Sequence, residues 1–298
     1  MNSPRPVHAR SMLCVPADAT RFIAKASERG SDLIVLDLED GVAPSAKLQA
    51  RAALGEAVRA LAVAGVPIYV RVNNVQELLA GDLHASVHAG AAGIVMPKLE
   101  SAAQVAALGD ALAREEAAAS RPPGEAGIIG LIETPLGVCR AFEIAQASPR
   151  LLSLGLGSED FSAAMGMEPT AQALSGPAQT VAIAAVAAGL HPIGLPGPVG
   201  EFSDIQAYAQ VVRLARALGI RGAICIHPAQ VAVLNEVMAG SAAEIAAARR
   251  VVSAFDAALA NGQGAIAVDG RMVDAPIANR ARLLLQRAEL ASMRGGRP

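Results

Sequence analysis

The sequence has no tryptophan, and phenylalanine and tyrosine together bring its aromatic content to only 2%. A stacking surface for single-stranded nucleic acid is therefore excluded, and the core must be built from Ala, Val, Leu and Ile. Charge is also scarce. Asp, Glu, Lys and Arg make up 17% of the 298 residues, and the formal net charge is −2. There is no basic excess to hold a polyanion and no acidic excess of the kind that keeps a chain disordered. Cysteine occurs three times, at Cys14, Cys139 and Cys225, with no C-x-x-C pair. Scattered thiols in odd number point to a reducing compartment and to structural roles. The N-terminus MNSPRPVHARS carries no apolar signal core, and no run approaches the roughly 20 apolar residues of a membrane span. A cytoplasmic protein is expected. No G-x-G-x-x-G follows the first apolar run, which counts against a dinucleotide fold.

What the sequence does have is hydrophobic material, 53% of its residues, in a regular alternation. Short runs recur at Ser11–Pro16, Leu33–Leu38, Ile68–Val72, Gly93–Pro97, Ile128–Ile132, Leu151–Leu156, Pro192–Leu195 and Ala223–Ile226. Ala-rich helical stretches separate most of them: 20–28, 45–64, 101–119, 137–147, 178–188, 202–218 and 229–238. Near-continuous apolar runs suit strands buried on both faces, as in a parallel sheet. Eight such repeats predict an α/β chain folded as a (β/α)8 TIM barrel over residues 1–240. Residues 241–298 then form a C-terminal helical extension, with helices over 241–260 and 277–292. Between those helices lies a Gly-rich, hairpin-like segment that reads as a lid or a contact between subunits.

Polar residues gather where the runs end. The second run ends Asp37-Leu38-Glu39-Asp40, the third holds Arg71, the fourth ends Pro97-Lys98, the fifth Glu133-Thr134, and the sixth leads to Glu159-Asp160. In a barrel these ends share one face, the face that carries catalysis. Acids converging there repel each other unless a cation intervenes. Mg²⁺ suits oxygen donors and needs only one or two protein carboxylates. Glu133 and Asp160, on adjacent runs, are the best pair of metal ligands. Glu159 reads as a solvated charge, a helix cap, or a group turned elsewhere. Arg71 lies in an otherwise apolar strand and needs an anion. Its partner is either Asp37, Glu39 or Asp40 in a salt bridge, or the carboxylate of a substrate. Lys98 is the candidate for a Schiff-base mechanism, although a strand-end lysine usually pairs with an acid. His227 reads as a structural group at the last strand end.

Eight stretches together resemble the HpcH/HpaI aldolase superfamily, in its citrate lyase β-subunit-like branch with the malyl-CoA and citramalyl-CoA lyases. They are RSMLCVPAD (10–18), DLIVLDLEDGVAPSAK (32–47), YVRVN (69–73), GIVMPKLES (93–101), GLIETPLGV (130–138), LGLGSEDFSAAMG (154–166), CIHPAQV (225–231) and AVDGRMVDAP (267–276). The resemblance implies a Mg²⁺-dependent carbon–carbon lyase in a homotrimer or hexamer. Its substrate would be a carboxylate-bearing 3-hydroxyacyl-CoA such as malyl-CoA, citramalyl-CoA or citryl-CoA, cleaved to acetyl-CoA and a keto acid. It implies that Glu133 and Asp160 bind the metal, that Arg71 holds the keto-acid carboxylate, and that Glu39 and Asp40 hold waters around the metal. It further implies that Asp274 reaches a neighbouring subunit's site as an acid/base, and that Arg21 and Lys25 contact CoA phosphates, where the alternative is a solvated helix face. Two other readings stand beside this one. One is a CoA-independent metal-dependent 2-oxo-acid aldolase. The other is a citrate lyase β subunit acting on an acyl-carrier-protein thioester.

Overall fold

The computed structural model describes residues 7–200 and 202–295. All eight apolar runs are strands: β1 (Ser11–Pro16), β2 (Leu33–Asp37), β3 (Ile68–Arg71), β4 (Gly93–Met96), β5 (Gly127–Ile132), β6 (Leu151–Leu156), β7 (His191–Gly194) and β8 (Ala223–Cys225). They pair in parallel in the order β7-β6-β5-β4-β3-β2-β1-β8. A bridge from Ile193 to Gly222, with the Gly194 amide donating to the Gly222 carbonyl at 2.9 Å, closes the ring between β7 and β8. The fold is a (β/α)8 barrel. Met12, Val35, Tyr69, Val95, Ile129 and Ile193 belong to one buried cluster. Leu54, Leu61, Leu112, Val181 and Val212, on the surrounding helices, are buried as well. Removing that much aliphatic surface from water is the main force holding the fold together.

The helices are α1 (Thr20–Ala26), α2 (Lys47–Ala62), α3 (Gln76–His88), α4 (Ala102–Ala118), α5 (Pro135–Cys139), α6 (Ala141–Ala145), α7 (Ser158–Met165), α8 (Ala171–Ala187), α9 (Ile205–Ala217) and α10 (Pro228–Ala239). Two differences from the sequence reading have clear causes. The helix α3 was not anticipated, because its inward face carries the buried polar residues Asp82 and Ser86, which interrupt the apolar stripe. Asp82 is accommodated because Arg51 Nε donates to it at 2.7 Å and the Asn73 amide at 2.9 Å. The helix α8 begins at Ala171 rather than Ala178 and runs through Pro177, with Thr170 capping its first turn at the Ala173 amide.

The chain divides into two units, Met1–Leu234 and Asn235–Pro298. The second contains α11 (Ala242–Ala260), β9 (Ile266–Val268), β10 (Arg271–Val273) and α12 (Ala275–Gly295). The strands β9 and β10 form an antiparallel hairpin. Its turn, Asp269-Gly270, has φ of 51° and 75°, as a two-residue hairpin turn of the I′ type requires. Phe255, Val273 and Ala278 form this unit's own small core. The stretch Pro228–Ala260 passes for a membrane span by length and composition alone, although Glu236, Glu244, Arg249, Arg250 and Asp256 interrupt it. Gly240, at φ 85°, separates it into α10 and α11, and Ser241 caps α11 in a capping box with Glu244.

Candidate active site

Asp37, the last residue of β2, is 1% exposed. Its two carboxylate oxygens accept from Arg71 Nε at 2.7 Å and Nη2 at 2.6 Å. The same carboxylate accepts from the amides of Glu39 at 2.8 Å and Gly41 at 2.9 Å, which shapes the turn after β2. Gly41 is required there, because a Cβ would run into the Asp37 carboxylate. Lys47 secures the turn from α2, donating to the carbonyls of Leu38 and Glu39 and to Asn73 Oδ1. Arg71 is therefore held in a salt bridge with Asp37 as principal partner. Its Nη1 also faces Glu39 Oε2 at 3.2 Å.

Lys98, just after β4, has φ 53°, a left-handed conformation that is uncommon for a side-chain-bearing residue. Asn74 Nδ2 holds this bend by donating to the carbonyls of Pro97 and Lys98. The bend aims the Lys98 amide at Glu133 Oε2, 2.8 Å away, and its ammonium at Glu39 Oε1, 2.6 Å away. Asp40 lies 3.4 Å and Asp160 4.0 Å from the same nitrogen. Burial lowers the Lys98 pKa, but the hydrogen bond to Glu39 and the charges of Glu39, Asp40 and Asp160 outweigh it and raise the pKa overall. A lysine held protonated in this way is a poor Schiff-base nucleophile.

Glu133 follows β5 and is 3% exposed. Its neighbour across the mouth, Gly157, explains the glycine after β6: a Cβ at that position would sit 2.5 Å from the Glu133 side chain. Asp160 is not at the strand end proper. The strand β6 stops at Leu156, and Asp160 lies in the first turn of α7, where the helix dipole favours a negative charge. Glu159 turns away and accepts from the amides of Val199 at 2.8 Å and Gly200 at 3.2 Å, fastening the segment after β7.

Burial, then the charges of Asp160 and Glu39, push the Glu133 carboxyl from 4.5 up to about 7, against the amide and charge of Lys98. This is a crowd of oxygen donors short of positive charge, and it fits a hard divalent cation such as Mg²⁺. Glu133 holds its proton more tightly in the fold than in the unfolded chain, so its ionisation costs the metal-free fold stability as pH rises from 4.5 to about 7. A cation needs the ionised form, so Mg²⁺ affinity should rise about tenfold per pH unit up to neutrality and level off above it. Calorimetric titrations across that range check this, and a flat profile would remove Glu133 from the ligand set.

Beside Arg71 opens a cavity of about 710 Å³ whose lining includes Cys14, Arg21, Lys25, Arg29 and His227. Burial, then the charge of Asp37, push the Cys14 thiol up to about 12, so it lines this wall as a neutral group. Arg21 and Lys25 thus share a cavity with Arg71. Arg29 joins them and was missed in the sequence, although the spacing 21, 25, 29 is a signal for one helical face. His227 stacks on Phe202 with ring centroids 4.7 Å apart, and its Nδ1 accepts from the Ala229 amide. Asp274, in the second unit, accepts from the Ile277 amide at 3.3 Å and caps α12.

Residues 10–228 match the model of the HpcH/HpaI aldolase/citrate lyase family. The chain is 34% identical over 288 residues to citrate lyase subunit beta of Escherichia coli K12, covering 96% of this chain and 95% of that protein. It is 35% identical over 315 residues to L-malyl-CoA/beta-methylmalyl-CoA lyase of Cereibacter sphaeroides, covering 95% of each. Among solved structures it resembles CitE of Mycobacterium tuberculosis in complex with magnesium, acetoacetate and coenzyme A. The TM-score is 0.72 with 29% identity, over 97% of this chain and 100% of that one. The chain belongs to the HpcH/HpaI aldolase/citrate lyase family.

Proposed function

We propose that this protein is a Mg²⁺-dependent carbon–carbon lyase acting on a 3-hydroxyacyl-CoA that carries a carboxylate, such as malyl-CoA, citramalyl-CoA or citryl-CoA, to give acetyl-CoA and a keto acid. The observation that carries the reading is one cavity with Arg71 and the cations Arg21, Lys25 and Arg29 in its lining, where Arg71 also faces Glu39, whose other oxygen accepts from the Lys98 that meets Glu133 and Asp160. An acid group and a polyphosphate carrier on one substrate call for two such cationic regions. A CoA-free aldolase has no use for the second of them.

In this reading Glu133 and Asp160 hold the Mg²⁺, which when bound supplies Lewis acidity at the developing carbonyl. Arg71 commits two N–H groups to Asp37 and faces Glu39 with a third, leaving two of its five for the substrate carboxylate. Asp37 fixes the plane of the guanidinium, which orients that carboxylate before reaction. Glu39 or Asp40 accepts the hydroxyl proton through an intervening water. As the C–O bond becomes a carbonyl, the C–C bond breaks and its electron pair passes to the enolate of acetyl-CoA. Asp274 of a neighbouring subunit, when protonated, returns a proton to the enolate carbon. The three unpaired thiols agree with a reducing, cytoplasmic setting.

The test incubates the protein with malyl-CoA, citramalyl-CoA and citryl-CoA, each with Mg²⁺ or EDTA, and follows products by mass spectrometry. Metal-dependent acetyl-CoA release from one of them is expected. Replacing Arg21, Lys25 and Arg29 together with Gln should raise KM for that thioester about tenfold with kcat little changed, since exposed ion pairs are individually weak. Turnover of a free 2-oxo acid or an acyl-carrier thioester, with no CoA thioester cleaved, would reject the reading.

The role of Asp274 has its own test. Asp274→Ala should be inactive, as should Asp160→Asn. Mixed oligomers of the two should regain about a quarter of wild-type activity, because half the barrels and half the donated segments remain intact. No recovery would argue against donation between subunits.

A further inference from the structure

Away from the barrel mouth, His84 and His88 lie four residues apart on α3 and face Glu115 on the packed neighbour α4. Among the described residues, this is the one group of three or more His, Cys, Asp or Glu side chains whose ligand atoms all lie within 4.8 Å of one another. We propose that these three residues form a second metal site, selective for Zn²⁺ or a similar borderline transition-metal ion.

The geometry supports an ion better than a hydrogen-bonded trio. His84 Nδ1 is 2.9 Å and His88 Nε2 is 3.6 Å from the same oxygen, Glu115 Oε2. The second separation is too long for a hydrogen bond, so both imidazoles turn toward a single acceptor that serves only one of them. Ligands around a tetrahedral zinc ion with ordinary bond lengths stand about 3.4 Å apart, and the two observed separations bracket that value. The rings are near neighbours, with centroids 4.0 Å apart and planes tilted by 31°, as expected for two histidines one turn apart on a helix. Either ring nitrogen can ligate when neutral.

The donor set also separates this site from the mouth. Glu133 and Asp160 offer oxygen alone, which suits Mg²⁺, whereas two imidazoles and a carboxylate favour zinc, nickel or copper over magnesium. Three protein ligands leave a position open to water, and His84 is 60% exposed, so the site is reachable from solvent. The nearby Arg121 guanidinium, which donates to the carbonyl of Val87, is countered by Glu125 at 2.9 Å. An ion here would fasten α3 to α4, and α3 also carries the Asp82 that holds Asn73 behind the mouth.

The experiment is a calorimetric titration of the untagged full-length protein with Zn²⁺ in excess Mg²⁺. One ion per chain is expected. His84→Ala, His88→Ala and Glu115→Gln should each weaken binding by at least about tenfold, with lyase activity unchanged. Asp160→Asn and Cys139→Ser should keep it, which excludes the mouth and the exposed thiol as the binding site. Co²⁺ should give a visible absorption band that disappears in His88→Ala. Absence of binding, or affinity unaltered in both histidine variants, would overturn the proposal and leave a His–Glu ion pair only.

Discussion

Asp160→Asn should yield a folded protein whose Mg²⁺-dependent turnover is below about one-thousandth of wild type. Little stability depends on this carboxylate. It is 42% exposed in the first turn of α7, and Lys98 stands 4.0 Å from it. A surface change of this kind shifts stability by no more than about 0.5 kcal/mol. Chemically the substitution removes one of two hard donors and a full negative charge from the metal site. A second signature follows, because the Asp160 charge is the largest cause after burial of the raised Glu133 pKa. In Asp160→Asn the Glu133 carboxyl should titrate lower, so residual metal binding would level off at a lower pH than in wild type. Kinetics at saturating Mg²⁺, a thermal melt and a pH series of metal titrations measure all three. Turnover within tenfold of wild type would take Asp160 out of the metal site.

Arg71→Met should damage both catalysis and fold. Losing an oriented charge at the reacting group typically costs about 10²- to 10³-fold in rate. The stability loss has a separate origin: Asp37, 1% exposed, would be left as a buried carboxylate without its bidentate partner. Breaking a buried ion pair from one side costs about 3–5 kcal/mol. The two effects separate in a double variant. Arg71→Met with Asp37→Asn removes the stranded charge and keeps one oxygen to accept from either the Glu39 or the Gly41 amide, so part of the stability should return. Activity should not. If the double variant recovered turnover as well, Arg71 would be a structural partner of Asp37 and the substrate clamp would lie elsewhere. Denaturant unfolding and kcat/KM on the same preparations decide between these outcomes.

How much could be read in advance differs from element to element. The eight strands were legible because barrel strands are covered on both faces and so appear as unbroken apolar runs. The helix α3 was hidden because its inward face carries Asp82 and Ser86, and a buried acid looks like a solvent-facing one until its partner is known. Arg29 was overlooked although it extends the spacing of Arg21 and Lys25, since α1 ends at Ala26 and a short turn carries the face onward. Asp160 was read as a strand-end residue, but β6 stops at Leu156 and a helix begins at Ser158, with Gly157 between them leaving room for the Glu133 side chain.

By itself the sequence determined the architecture, the face on which the strand-end polar residues gather, and the residue types available there. These follow from local patterning and from a parallel barrel delivering every strand end to the same face. The tertiary structure decided the pairings: Arg71 with Asp37 rather than Asp40, Glu159 with the amides after β7, and the Lys98 amide with Glu133. It also decided that Lys98 takes a left-handed bend and that the Glu133 carboxyl titrates near neutrality. The physical reason is range. Hydrophobic periodicity is written along a few turns of chain, whereas hydrogen bonds and charge effects act over a few ångströms between residues that lie tens of positions apart.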